Sequence, residues 1–296
     1  MPVIGPRLGI AALLAIATAF GSNHVAARVA FEHGASVTTA VAFRSTGTAL
    51  FVLALIGLQG VPLALPRPRL ARALAVGALL AVQSYCLYSA VAVLPVALAL
   101  LSFYTFPMLL AFVSWVAGGE RPSSRTLAAM PLALAGLALA LDVLGGARHV
   151  AGRWAEIGPG VGWALGAALS FALVLFLTTR WLADVDGRVR TFYTTAVVAV
   201  TVTALGTVGG AFALPGAATG WLGLALLTVF YGAAITALFV LLPRLGAVNN
   251  SVVLSIEPIV VLVLAWIFLG QAVSPLQVVG ALVVIGAIIL LSLRRV

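Results

Sequence analysis

Stretches of about 20 apolar residues recur along the whole chain, each long enough to cross the hydrocarbon core of a bilayer. No other feature narrows the fold as far, because in lipid every backbone N–H and C=O must be satisfied internally, which leaves helices and closed barrels. Such runs fall near residues 8–29, 36–58, 70–90, 95–117, 125–143, 158–181, 190–212, 218–241, 247–269 and 275–293. The expectation is an all-α integral membrane protein with ten transmembrane helices. Composition agrees: 63% of the 296 residues are hydrophobic and 8% charged, too little polar surface to cover a water-soluble globule. Connections are short, and only 142–158 leaves room for an extended loop or surface helix. The first residues resemble a signal peptide, but nine similar segments follow, so a retained first helix is expected.

The formal charge of +9 does not point to nucleic acid, because the basic residues, all arginine, are scattered singly or in small groups between apolar runs. They report orientation instead. With ten spans and both termini cytoplasmic, one side collects Arg7, Arg67, Arg69, Arg72, Arg121, Arg125, Arg180, Arg188, Arg190, Arg244, Arg294 and Arg295, and the other only Arg148 and Arg153. Short cytoplasmic loops carry such an excess, and one span more or fewer would scramble it. The cytoplasmic membrane is the expected location. Cys86, the lone cysteine, can form no intrachain disulfide.

Two stretches echo each other, LSFYTFPMLLAFVSWVAGGERPSSRTLAAM from Leu101 and VLSIEPIVVLVLAWIFLGQAVSPLQVVGAL from Val253. Aligned on Pro107 and Pro258, 151 positions apart, both carry a membrane proline, a tryptophan, a glycine (Gly119, Gly270) and a serine (Ser123, Ser274). Five crossings, an odd number, separate the copies, so they enter the membrane from opposite sides. Two inverted five-helix repeats, 1–147 and 148–296, are expected, an architecture recurrent in secondary transporters.

An ionisable residue inside a span costs at least about 2.5–3.5 kcal/mol on insertion scales and tends to face an interior cavity. Arg44 in the second span and Glu257 in the ninth are such residues. Arg44 either snorkels or pairs for structure, or meets a ligand. Three roles fit Glu257: a cation or proton site, a partner for Arg44, or a ligand for a substrate amine. Pro258 and Pro107 each remove a helical hydrogen bond, from the carbonyls of Leu254 and Phe103, and are candidate hinges. Tyr85, Tyr88 and Ser89 are spaced to share a face of the third helix, and Asn250 shares a face with Glu257. Asn23, His24 and Tyr104 complete a plausible lining, although each alone is as readily an interhelical hydrogen-bonding residue. The substrate-binding candidates are thus Asn23, Arg44, Tyr85, Tyr88, Tyr104, Asn250 and Glu257.

Catalysis finds few residues. His24, His33 and His149 fall in no metal-ligand spacing, and no phosphate loop, dinucleotide fingerprint or nucleophile elbow is present, so no cofactor, metal or enzymatic activity is expected. Asp184 and Asp186, among Arg180, Arg188 and Arg190, suit a solvated turn. Gly162 with Gly166, and Gly206 with Gly210, have helix-packing spacing, suited to intrachain contacts and compatible with a homodimer.

The sequence resembles the drug/metabolite transporter superfamily in its EamA-like branch. The resemblance rests on AFGSNHVAARVA at Ala19, AFRSTGTALF at Ala42, SAVAVLPVALALLSFYTFPMLLAFVSWVAGGERPS at Ser89 and SIEPIVVLVLAWIFLGQAVSPLQVVGALVVIGAIIL at Ser255. It implies a ten-helix carrier of two inverted repeats that exports or exchanges small metabolites such as amino acids, or drugs, with protons as a candidate coupling ion. Carried over by position, Arg44 matches the family's second-helix arginine, Pro107 its fourth-helix proline, and Glu257 with Pro258 its ninth-helix Glu-Pro. Gly270 and Gln271 stand where the family often has a glycine and an acid, as Gly119 and Glu120 do in the first copy. The absence of lysine lends no support to the phosphate-exchanging plastid branch. A channel and a membrane-embedded lipid-modifying enzyme are the rival classes; the first would show flux too fast for a conformational cycle, the second lipid turnover.

Overall fold

Alanine, leucine and valine dominate the apolar runs, and away from water their backbone groups close into helical hydrogen bonds. The computed structural model describes residues 6–118, 131–132, 135–136, 139, 150–245, 257–271 and 274–292. Among the described residues there are helices and no strand: α1 (Pro6–Glu32), α2 (Val37–Leu58), α3 (Arg67–Val93), α4 (Val96–Phe103), α5 (Phe106–Val116), α6 (Val150–Trp181), α7 (Gly187–Val208), α8 (Ala218–Leu245), α9 (Glu257–Leu269) and α10 (Pro275–Ser292). Among the described residues six segments are long and apolar enough to cross a membrane, with α4 and α5 together forming one of them, Val96–Val116; Val260–Leu269 and Pro275–Ala287 are shorter apolar helices.

Two details depart from the sequence reading. The fourth run is broken at Tyr104 and Thr105, where Thr105 N–H turns back to the Ser102 carbonyl at 3.3 Å and α5 restarts with Pro107 in its first turn. Proline is tolerated there because the N–H it lacks would have no helical partner in a first turn. α6 begins at Val150 and carries Pro159 within it, so 150–157 continues the span as helix.

The punctuation comes in pairs. α2 is capped by Ser36, whose side chain accepts from Thr39 N–H, and α7 by Asp186, which accepts from Arg188 N–H. Each is followed by a glycine with positive φ, Gly60 at 63° and Gly210 at 60°. A side chain there would clash with its own backbone, which is why glycine ends both helices.

Packing is paired as well. The most extensive contacts join α1 to α8, α3 to α6 and α2 to α7, followed by α3 with α7, α1 with α9, α2 with α8, and α4 and α5 with α6. Exchanging α1 with α6, α2 with α7, α3 with α8 and α4–α5 with α9 maps this set onto itself. Two bundles result, α1–α8–α9 and α3–α4–α5–α6, with α2 and α7 between them; the bundles meet chiefly where α4 packs on α9. Small residues allow the close crossings. A Cβ on Gly223 would come within 2.8 Å of the Ala26 carbonyl oxygen, one on Gly47 within 2.4 Å of Thr228, and one on Gly77 within 2.7 Å of Val197. Of the glycine pairs singled out by spacing, a Cβ on Gly206 would press on Thr38 and Phe212, one on Gly166 would make ordinary contact with Cys86, one on Gly162 would meet open space, and Gly210 is the turn glycine.

Candidate functional site

Polar side chains from both bundles gather inside this apolar frame. Arg44, from the middle of α2, is 5% exposed and has no carboxylate within ion-pair distance among the described residues. Its Nη2 donates to Ser84 Oγ of α3 at 2.8 Å, and Ser84 Oγ donates to Gln83 Oε1 at 3.4 Å. Its guanidinium lies 4.8 Å from the centroid of Tyr88 and 4.1 Å from that of Tyr231 on α8. Aromatic faces stabilise a desolvated cation, by about 2 kcal/mol in favourable cases, and here they do what an acid would otherwise do. Arg44 Nε and the Thr48 hydroxyl one turn on are buried without a hydrogen-bond partner.

Glu257 opens α9, and its carboxylate faces the other bundle. Tyr104, at the α4–α5 break, donates its phenol to Glu257 Oε2 at 2.8 Å. His24 of α1 brings Nε2 to 3.6 Å from Oε1, while its Nδ1 is buried without a partner. Tyr88 joins the two halves of the cluster: its hydroxyl donates to Asn23 Oδ1 at 2.7 Å, its ring lies 5.9 Å from His24, and Arg44 sits over its face. Asn23, Arg44, Tyr88, Tyr104 and Glu257 therefore come together.

Tyr85 does not join them. It is 39% exposed and edge-on to Trp163, at 6.3 Å between ring centroids. It lines an apolar lateral groove of about 380 Å³ with Thr38, Val82 and Leu205, and a second groove of about 590 Å³ lies between α2, α7 and α8 beside Phe43 and Trp221. Neither groove includes Arg44 or Glu257. Pro107 sits at the α4–α5 break and Pro258 is the second residue of α9; Asn250 lies outside the described residues. Among the described residues no three His, Cys, Asp or Glu side chains gather as metal ligands would.

A buried guanidinium with no carboxylate beside it among the described residues and a largely buried carboxylate held by a phenol thus lie on apolar helices. The sequence profile of the EamA-like transporter family matches residues 7–141 and 158–293. The chain belongs to that family. It is thus a multi-pass membrane protein of the drug/metabolite transporter superfamily, with two EamA-like repeats whose starts are spaced as Pro107 and Pro258 are. Fifteen chains of solved structures match this EamA-like transporter. One of them, a crystal structure, shares 20% identity over 96% of each chain with a TM-score of 0.60, which shows the fold alone. No curated protein sequence matches.

Thr48, Gln83, Ser84 and Tyr231 belong to the cluster of this EamA-like protein but were not singled out by the sequence, whereas His24 was named as lining without being a binding candidate. His24, Gln83 and Ser84 are polar residues inside apolar runs and carry that signal. Tyr231 carries none, since only the crossing of α8 over α2 sets its ring on Arg44.

Proposed function

We propose that the protein is a secondary active carrier of the cytoplasmic membrane that exports or exchanges a small organic metabolite, such as an amino acid, or a drug, by alternating access. The reading has ten spans in two inverted five-helix repeats, with both termini cytoplasmic and the arginine-rich connections inside. The substrate sits between the bundles. Arg44 and Thr48 offer unpaired donors to an anionic group, and Glu257 accepts a proton or a cationic group. Pro107 and Pro258 serve as hinges.

The observation that carries this reading is the polar cluster itself. Charged and hydrogen-bonding side chains from α1, α2, α3, α8 and α9 and from the α4–α5 break converge where their helices are otherwise apolar. Burying such groups against lipid-facing helices is costly, and a ligand that alternately fills and leaves the site accounts for the donors left open.

The test is uptake and counterflow in proteoliposomes with labelled amino acids and cationic drugs, with and without a pH gradient. Saturable counterflow of one class, abolished or uncoupled in Glu257→Ala that still elutes as folded protein in detergent, is the expected result. Full transport by that variant would remove Glu257 from the site.

A further inference from the structure

The two bundles are joined directly by few hydrogen bonds, and their order along the molecule is informative. Near the α3–α4 turn, Arg28 of α1 donates to the carbonyls of Val91, Ala92 and Leu94 at 2.8–3.4 Å, and Val96 N–H donates to Gln271 Oε1 at 3.2 Å. Deeper in, Tyr88 donates to Asn23, and then Tyr104 to Glu257. Among the described residues these are all the direct hydrogen bonds between the bundles. The described part of the interface is a zipper fastened from the α3–α4 end as far as Tyr104 and Glu257.

The geometry points to Tyr88 and Tyr104 as the innermost of these described fasteners, phenols that hold the bundles together on the α3–α4 side of the site until another donor takes their place on Asn23 and Glu257. Both phenols stand on α3 and the α4–α5 break, and both acceptors stand on α1 and α9, so neither bond survives separation of the bundles. What is left behind is a pair of buried acceptors, an amide oxygen and a carboxylate. The group that replaces them is a hydrogen-bond donor: water as the bundles part, a proton on Glu257, or the ammonium or N–H head of a solute. This deepens the carrier reading and assigns the two tyrosines a positioning role that a simple lining residue lacks.

The test separates the zipper from transport. Full-length protein with Cys86→Ala, spin-labelled at Val93→Cys on α3 and Phe268→Cys on α9, both exposed, reports the gap between bundles by double electron–electron resonance in nanodiscs. Each hydroxyl removed, in Tyr88→Phe and Tyr104→Phe, should raise the longer-distance population about three- to fivefold, the size of a modest buried hydrogen bond. The double variant should raise it most. Asn23→Leu combined with Tyr88→Phe should open the gap by less than the sum of the two alone, as partners of one bond do. Tyr193→Phe, which loses a phenol bonded to the Leu63 carbonyl away from this interface, should leave the distances unchanged. Unchanged distances in the Tyr88→Phe/Tyr104→Phe protein, or shifts equal to those of Tyr193→Phe, would overturn the zipper. Failure of every solute to show counterflow in the parent protein would instead count against the carrier reading and leave the distance result to stand.

Discussion

The two ends of the molecule are built on one plan from different chemistry. At one end the α1–α2 turn meets the α7–α8 connection: Ser36 N–H donates to the Ala213 carbonyl at 3.0 Å, Thr39 Oγ1 donates to the same oxygen, Ala213 N–H donates to Ser36 Oγ, and Gly216 N–H donates to the His33 carbonyl. At the other end the mates of those segments meet, the α6–α7 turn and the α2–α3 connection. There the ties are Arg69 to Asp184, Arg188 to Gln59, and the Tyr193 phenol to the Leu63 carbonyl, with Asp186 holding Arg188. The tie between these segments is neutral and mostly backbone at the first end and largely ionic at the second. Neutral bonds keep their strength in salt and acid, whereas exposed ion pairs are screened and titrate. The same fold thus gives the protein one inter-repeat tie that is insensitive to solution conditions and one that answers to them. The answering end is the arginine-rich one proposed to face the cytoplasm.

The largest expected effect is at the first end, where a charged residue fastens α1 to the close of α3 beside the neutral tie. Arg28 holds three carbonyls at the close of α3 with a single charged nitrogen, and Arg28→Ala leaves them without that donor. Charge-assisted bonds of this kind are worth about 1.5–3 kcal/mol, and thermal unfolding in detergent should show a loss in that range that does not shrink in high salt. Because Arg28 also pairs with Glu32, Glu32→Gln is the control and should cost much less. Next comes Ser36→Ala, which removes the α2 cap and the side-chain acceptor for Ala213 N–H. A loss of about 1–2 kcal/mol is expected, the same at 0.05 and 0.5 M salt on the order-of-magnitude scale of cap deletions. Strong salt sensitivity in either variant would break the contrast between the ends.

How much of this contrast was legible beforehand follows from what sequence periodicity can carry. The spans, their short turns, and the charged intruders Arg44 and Glu257 stand out because lipid penalises polar atoms and the apolar runs make the exceptions visible. The break at Tyr104 was foreshadowed by Pro107. Partnerships across helices were not readable. Arg44 and Glu257 were open to pairing with each other, yet the structure gives Arg44 two aromatic faces and a serine and gives Glu257 a phenol. Spacing grouped Tyr85 with Tyr88, but three residues differ by about 60° around a helix, enough to turn Tyr85 out beside Trp163 while Tyr88 is fully buried. Asp184 and Asp186 read as a solvated turn, and they do occupy one; that the turn ties the second repeat to the first depends on Arg69 and Gln59, far away in sequence.

A smaller effect comes from Asp186, the counterpart of Ser36 as a cap. Its hydrogen bond from the Arg188 side chain holds its carboxyl below the ordinary aspartate value. A carboxylate whose pKa is depressed by folding stabilises the folded protein above its unfolded pKa and loses that contribution as pH falls through its folded pKa. Asp186→Ala should therefore cost about 1 kcal/mol near neutral pH, the usual worth of a cap, and progressively less below about pH 4. Ser36→Ala should show no such decline. A pH-independent cost for Asp186→Ala would mean that its cap acts without its charge.

The smallest effect is expected at Arg69 and Asp184, an ion pair whose side chains are 44% and 55% exposed. Exposed pairs of this kind contribute between nothing and about 1 kcal/mol, so neither Arg69→Ala nor Asp184→Asn should unfold the protein. The informative quantity is the coupling between them. A double-mutant cycle at low salt should give a small favourable interaction that disappears near 0.5 M salt, where the screening length falls below about 5 Å. The mate of this contact at the first end, Gly216 N–H to the His33 carbonyl, joins backbone to backbone and has no charge to screen. If the Arg69–Asp184 coupling persisted undiminished in high salt, the pair would have to be shielded from solvent in the membrane-embedded protein. The ionic tie would then be as insensitive to solution conditions as the neutral one, and the difference between the two ties would be one of composition without consequence.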